Sequence, residues 1–326
     1  MKRLGNLYEK IYELENLNLA EKNARKGKSR QKQVKNFSKS RELNILSIHE
    51  VLKNEEYKVS KYSTFTIFDK KFRDIYVLPY KDRIIQHAIL QVIKPIFDKS
   101  FISQTYSCIK NKGIHKALKQ LKHYLKDKSN KYCLFLDIKK YYPNINKTTL
   151  KLFLRRKFKD RKLLNLLDSI IDSHSKGIPI GSYLSQYFGN FYLTYFDHFL
   201  KEIKKVKYLR YMDNICILHS DKEYLHILRR EIESYLFNIL DLELSTSQIF
   251  LINSRGIDFV GYVNYSSHIL IRKSIKQNFI KMLKSNPNKE SINSYLGWFK
   301  HADCINLTNK YLNNDKTIRH NIRRSY

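Results

Sequence analysis

Proline and glycine are scarce in this chain, five and nine among 326 residues, and the four cysteines stand far apart at Cys108, Cys133, Cys216 and Cys304. That spacing forms no metal-type pair and excludes a small stapled fold; the thiols read as reduced core residues of a cytosolic protein. Acidic residues are also few, 30 Asp plus Glu against 62 Lys plus Arg. No apolar run approaches the length of a membrane span, and neither a signal peptide nor a lipidation motif is present, so a cytoplasmic protein without a membrane partner is expected. Internal repeats and low-complexity linkers are lacking too, so the parts are expected to form one continuous unit.

What the chain has in excess is positive charge and aromatic rings. The formal net charge is +32 at a pI near 9.8, with 24 Tyr and 18 Phe distributed among the cations. A surplus of this size favours a polyanionic partner through counterion release, and nucleic acid is the first candidate. Rings that stack on bases beside cations that hold phosphates suit single-stranded or A-form nucleic acid. An aromatic core under a solvated Lys-rich surface accounts for most of these residues equally well.

Two stretches carry acids on apolar strands. Tyr132 to Asp137 is an apolar run ending in a carboxylate, and Tyr208 to Leu218 reads as strand, tight turn and returning strand, with Asp213-Asn214 at its polar centre. Two acids fixed by two strands suit phosphoryl transfer with a pair of Mg²⁺ ions, a hard cation that takes one or two carboxylates plus substrate phosphates. An ordinary hairpin turn and an ordinary strand-end acid explain the same residues.

The remaining segments fall in order around these two. Apolar residues at Leu7, Ile11, Leu14 and Leu17 predict an N-terminal helix, followed by the cationic run Asn23 to Lys32, which is either a phosphate contact or a solvated loop. Phe65 to Phe68 and Asp74 to Leu78 predict a hairpin whose tip, Asp69-Lys70-Lys71-Phe72-Arg73, is able to fold over a triphosphate. Tyr80 to Ile96 is helical, with His87 read as a core or capping side chain. A basic loop ending at Gly113 leads into another amphipathic helix, and Pro143 ends regular pairing after Tyr141-Tyr142. Gly177-Ile178-Pro179-Ile180-Gly181 spends three of the scarce Gly and Pro residues in one loop, read as a close backbone approach to a base pair or sugar, with Gln186 on the first turns of the helix that follows. Lys222 to Leu240 is a further amphipathic helix, Gly256 to Tyr262 a turn and strand, and the region from Ile275 onward is helical with a basic tail at His320 to Arg324.

In this order, the strand ending at Asp137, Tyr141-Tyr142, the Gly177 to Gln186 loop, Tyr211-Met212-Asp213-Asn214 and Gly256 to Tyr262 resemble the palm of reverse transcriptases of the bacterial group II intron-like branch, over roughly residues 60 to 265. Leu4 to Tyr8, Asn23 to Lys28, Tyr295 to His301 and the aliphatic Ile180 before Gly181 look most like the enzymes of diversity-generating retroelements. The resemblance implies an α+β right-hand polymerase: fingers over residues 1 to 130, a palm with an antiparallel sheet over 131 to 264 that includes finger-side helices at 143 to 180, and a small helical thumb over 265 to 326. It implies an RNA-directed DNA polymerase using two Mg²⁺ ions, or Mn²⁺, with Asp137, Ile138 and Asp213 at the metals and Asn214 beside them. Tyr142 resembles a steric gate against a ribose 2′-OH, with Tyr141 its neighbour. Lys70, Lys71 and Arg73 would hold the triphosphate, and Ile180, Gly181 and Gln186 would line the nucleotide site. The expected partners are template RNA, the cDNA product, dNTP and a small helical accessory protein.

Two departures stand against the family pattern. Asn214 occupies the place of a usual second Asp, and Leu242 to Phe250 lacks the Lys that relatives place there to protonate pyrophosphate. An error-prone retroelement enzyme, a catalytically weakened RNA-binding relative and a phage-defence reverse transcriptase all remain compatible with these residues.

Overall fold

The computed structural model describes residues 3–69, 71–285 and 287–312. Its helices α1 (Tyr8–Tyr12), α2 (Leu14–Arg25), α3 (Lys32–Lys39) and α4 (Arg41–Lys53) precede the strands β1 (Ser63–Asp69) and β2 (Lys71–Val77). Next come α5 (Tyr80–Asp98), α6 (Ile114–Leu125), β3 (Tyr132–Ile138), α7 (Tyr141–Asn144), α8 (Lys147–Lys157) and α9 (Arg161–Asp172). After α10 (Tyr183–Tyr192), α11 (Thr194–His198) and a π-helical turn, Phe199–Ile203, the chain forms β4 (Lys207–Tyr211), β5 (Asn214–His219), α12 (Lys222–Leu240) and β6 (Leu244–Leu251). It ends with α13 (Ile252–Arg255), β7 (Ile257–Phe259), β8 (Tyr262–Asn264), β9 (Ile269–Ile271), α14 (Lys273–Leu283), α15 (Lys289–Phe299) and α16 (Ile305–Leu312). The fold class is α+β, as expected.

The chain does not form one unit but two, each assembled from three separate segments. The first comprises the residues up to Ser103 together with Ile138–Phe199 and Ile232–Ser245; the second comprises Gln104–Asp137, Leu200–Glu231 and the residues from Thr246 onward.

The first unit is mostly helical. Apolar residues at helical spacing along α5, including Ile85, Ile89, Ile93 and Phe97, are fully buried. Phe97 meets Phe158 and Phe191 at 6.0 and 4.7 Å between ring centres. Asp160 caps α9 by accepting from the Leu163 N–H and also takes the N–H groups of Leu7 and Tyr8, which fixes the start of α1. Hairpin β1–β2 is longer than expected: Phe72 and Arg73, read as tip residues, lie within β2 opposite Phe68 and Ile67. Toward its tip the apolar side chains are exposed, Phe68 and Phe72 by 71 and 80%.

The second unit is built on a four-stranded sheet in the order β4-β5-β3-β6, with β5 antiparallel to both β3 and β4. The period-two pleat puts Cys133, Phe135 and Asp137 on one face with their cross-strand partners Leu218, Cys216 and Asn214. On that face Ala117, Leu121 and Leu125 of α6 pack against Cys133, Leu209, Cys216 and Leu218. The outer edge of β4 is covered by the segment through Thr105, because the Arg210 N–H donates to the Gln104 carbonyl and the Tyr106 N–H to that of Arg210. A three-stranded sheet, β7-β8-β9, and α14 to α16 enclose a separate core around Tyr262, Phe279, Leu296 and Phe299. There Gly261, at φ +93, leaves room for the Trp298 ring, which a Cβ would meet at 2.5 Å, and the Tyr262 hydroxyl donates to the Trp298 carbonyl.

Candidate active site

The acids lie at one end of the sheet of the second unit. Asp137, in β3, stands directly opposite Asn214, the first residue of β5, and Asp213 immediately precedes it in the β4–β5 turn, so one carboxylate comes from a strand and the other from the adjacent hairpin turn. Opposed residues in such a ladder hold their Cβ atoms about 5 Å apart. Both acids are partly exposed while the apolar residues beneath them are closed off.

The turn sits one residue earlier than the sequence reading placed it. Tyr211 pairs with Asn214, which makes Met212-Asp213 the turn and Asn214 the first residue of β5. Met212 takes φ +57, a conformation that side chains other than glycine adopt at a cost, so something must hold it there. That something includes Arg210. Its side chain is completely buried, and Nη1 donates to the Met212 carbonyl at 2.9 Å. A buried guanidinium inside a strand leaves no periodic trace in the sequence, and Arg210 was missed for that reason. Asn214 Nδ2 donates to Asp213 Oδ1 at 3.1 Å, which orients that carboxylate from the side.

Among the described residues no group of three or more His, Cys, Asp or Glu side chains gathers to hold a metal ion. The protein's contribution here is two carboxylates with an amide beside them. That donor set fits Mg²⁺, which completes its shell with water and substrate phosphates rather than with an all-protein cage.

The residues proposed from the sequence to contact nucleotide belong to the first unit. Lys140, at φ +43, introduces the single turn α7, in which Tyr141 is buried with its hydroxyl donating to the Gly189 carbonyl while Tyr142 is partly exposed. Gly177, at φ +57, is packed against the same turn: a Cβ there would lie 2.2 Å from the Tyr142 carbonyl oxygen, and the Ile178 N–H donates to that oxygen. Gly181, at φ +108, is packed on β2, where a Cβ would meet the Tyr76 carbonyl at 2.7 Å, and the Tyr76 N–H donates to the Ile180 carbonyl. These glycines are therefore required by the chain's own backbone, which ties the loop to Tyr142 on one side and to the hairpin on the other.

Gln186 is half-buried on the second turn of α10. That helix starts at a doubly held cap: the Ser182 hydroxyl accepts from the Ser185 N–H and donates to Gln86 Oε1, which also takes the Tyr183 N–H. Arg73 is exposed on β2. Lys70 lies outside the described residues, and of Lys71 only its place at the start of β2 is described. Ile138 ends β3, and Lys139 beyond it pairs with Glu243 at 2.7 Å.

Residues 58–263 match the family described as reverse transcriptase (RNA-dependent DNA polymerase). Protein YkfC of Escherichia coli is 23% identical over 270 residues, 68% of this chain and 69% of that protein. The group II intron-encoded protein LtrA of Lactococcus lactis is 26% identical over 145 residues, 41% of this chain and 24% of LtrA; the putative COX1/OXI3 intron 1 protein of Saccharomyces cerevisiae is 21% identical over 222 residues. The chain thus spans about a quarter of the length of these intron proteins. In fold it is similar to telomerase of Candida albicans, solved with a fragment of telomeric RNA (TM-score 0.54, 11% identity, 84% of this chain and 60% of that one), and to apo telomerase of Candida tropicalis (0.52, 13%, 73% and 54%). No described helix is long and apolar enough to cross a membrane. With the family matched over more than half its length, the chain belongs to the reverse transcriptases.

Proposed function

We propose that this protein copies RNA into DNA by nucleotidyl transfer, the primer 3′-oxygen attacking the α-phosphate of a dNTP and pyrophosphate leaving. The observation that carries this reading is the register of β3 and β5, which sets Asp137 opposite Asn214 and next to Asp213. Bound there, two divalent ions would activate the attacking oxygen and stabilise the leaving one. Asp137 and Asp213 supply the carboxylates, the backbone at Ile138 stands beside them, and Asn214 orients Asp213. Tyr142 serves as the gate against a 2′-OH, supported by its carbonyl being fixed from Gly177, with Tyr141 anchoring the turn. Arg73, with Lys70 and Lys71, binds the triphosphate, and Ile180, Gly181 and Gln186 line the nucleotide site. Fingers, palm and thumb are assigned to residues 1–130, 131–264 and 265–326.

Within the family we place the chain with diversity-generating retroelements, where the aliphatic Ile180 goes with error-prone copying. The partners are then template RNA and a small helical accessory protein. Primer extension on an RNA template with Mg²⁺ or Mn²⁺, wild type beside Asp137→Ala, tests the chemistry: extension by the wild type alone is expected, and equal signals would end the proposal. Misincorporation opposite template adenine that falls in Ile180→Gln tests the placement.

A second reading, a weakened relative that binds RNA without copying it, is favoured by Asn214 in the place of a carboxylate. Extension that stays absent in Asn214→Asp as well as in the wild type would select it.

A further inference from the structure

Between α9 and the loop at Gly177 the first unit places His174, partly buried beside the base of the β1–β2 hairpin. Its Nδ1 lies 2.8 Å from the Lys176 carbonyl oxygen. A carbonyl only accepts, so Nδ1 carries the proton and the ring donates this bond. The ring also meets two tyrosines edge-on, Tyr76 of β2 at 4.4 Å and 76° and Tyr62, just before β1, at 6.0 Å and 88°. Those tyrosines meet each other at 6.2 Å. The backbone of His174 is fixed as well. Its carbonyl accepts from the Lys147 ammonium on α8. The neighbouring Ser173 hydroxyl gives its one proton to the Ile170 carbonyl at 2.7 Å, and so accepts from the Tyr62 hydroxyl at 2.9 Å.

We propose that His174 is a positioning residue: by donating to the Lys176 carbonyl it fixes the loop that holds Tyr142, and so sets how strictly dNTP is preferred to rNTP. The chain of contacts is short. Lys176 precedes Gly177, whose would-be Cβ lies 2.2 Å from the Tyr142 carbonyl oxygen, and Ile178 donates its N–H to that same oxygen at 3.0 Å. A shift of the Lys176 carbonyl therefore reaches the Tyr142 backbone with only Gly177 between. At the other end of the loop the Ile180 carbonyl accepts from the Tyr76 N–H at 2.8 Å, and Tyr76 is the residue that packs closest on the His174 ring. His174 thus spans the loop, its nitrogen holding the beginning and its ring packed on the strand residue that holds the end. A side chain that excludes a 2′-OH by bulk is only as strict as its backbone is fixed, and a displacement of about 1 Å is able to cost on the order of 10²-fold in rate.

A ring that merely fills space accounts for the two aromatic contacts but not for the bond to Lys176, and substitution separates the two. Asn places an amide N–H where the imidazole Nδ1–H stands, both nitrogens being bonded to Cγ, and brings no ring. Phe keeps a ring against Tyr76 and Tyr62 and brings no donor. That Tyr142 gates the sugar rests on the proposed function; the hold of His174 on the loop does not.

The test compares wild type, His174→Asn and His174→Phe in the full chain. Amide hydrogen exchange followed by NMR reads the Ile178 N–H and needs no activity, with amides inside α5 as the control for global unfolding. His174→Phe is expected to speed exchange at Ile178 about three- to tenfold, the worth of one hydrogen bond, while His174→Asn stays within about twofold of wild type. Single-nucleotide primer extension then gives kcat/KM for a dNTP and for the matching rNTP. The ratio of the two is expected to fall about three- to tenfold in His174→Phe and to stay within about twofold of wild type in His174→Asn. An Ile178 amide that exchanges alike in all three proteins would overturn the hold on the loop. Exchange that is sped in His174→Asn as much as in His174→Phe, or more, would overturn it too, since the ring would then be what matters. Faster exchange in His174→Phe with an unchanged nucleotide ratio would overturn the role in discrimination. A wild type that extends neither nucleotide while Ile178 responds as expected fails as a polymerase and keeps the hold on the loop.

Discussion

Asn214 is the residue at which the proposed chemistry can be tested most directly. As an amide it donates to Asp213 and keeps that carboxylate in place at no electrostatic cost. As Asp it would repel Asp213 across the hairpin and attract a divalent ion to it. Asn214→Asp is therefore expected to lower thermal stability without metal, to regain it when Mg²⁺ is added, and to reduce the Mg²⁺ needed for half-maximal primer extension several-fold; a metal titration identical to wild type would remove Asn214 from the metal site. Arg210, by contrast, holds the turn that carries the acid through the Met212 carbonyl, and the sequence offered no sign of it. His87, read as core or cap, is partly buried and packs on Tyr183. Its folded pKa lies below the ordinary value, so between about pH 6.5 and 4 the unfolded chain takes up a proton that the folded chain refuses. Stability contributed by the neutral ring is present above that window and lost as pH falls through it. His87→Gln is expected to flatten the acid-side fall of the urea midpoint relative to wild type; parallel curves from pH 7 to 4 would show the ring to be unperturbed.

At the scale of elements, long apolar runs made β3, the Asp213 hairpin and α12 legible, because strand and helix periods are local properties of a chain. The scarce glycines marked the right loop for a different reason than expected, since the atoms that demand them belong to Tyr142, Pro143 and Tyr76, far away in sequence. Two glycines of opposite character allow this account to be tested. A Cβ at Gly177 would overlap backbone oxygen at φ +57, so Gly177→Ala is expected to destabilise the protein by about 2 kcal/mol or more. Gly297 lies inside α15 with nothing within 4 Å of its would-be Cβ, so Gly297→Ala is expected to stabilise by about 0.5–1 kcal/mol. Urea unfolding that ranked the two in the other order would refute the packing described for the loop. The third strand of the small sheet, β9, was not legible because Ile269-Leu270-Ile271 is apolar throughout although only Ile269 and Ile271 are buried, and the extension of β1–β2 through Phe72 and Arg73 was not because Phe68 and Phe72 are both exposed and leave no inside-outside contrast.

At the scale of the whole molecule, the division into two units was hidden from the sequence because each unit draws on three distant segments, and no linker composition marks the joins. Charge, in contrast, is a property of composition alone and needs no fold to be read. A formal net charge of +32 already counts every acid, so no ion pair within the chain reduces it, and many of the described pairs are exposed, where they contribute little. The surplus is therefore available to phosphates. Binding to an arbitrary single-stranded RNA is expected to follow counterion release, with a slope of about −0.7 per phosphate contacted; four contacts would weaken binding about fiftyfold between 50 and 200 mM salt. Fluorescence anisotropy across that range measures the slope directly. If affinity were held instead by base stacking on exposed rings, the slope would be shallow and substitution of Phe68 or Phe72 would cost more than removal of any one lysine. A steep slope with insensitive phenylalanines is the outcome that the charge balance requires.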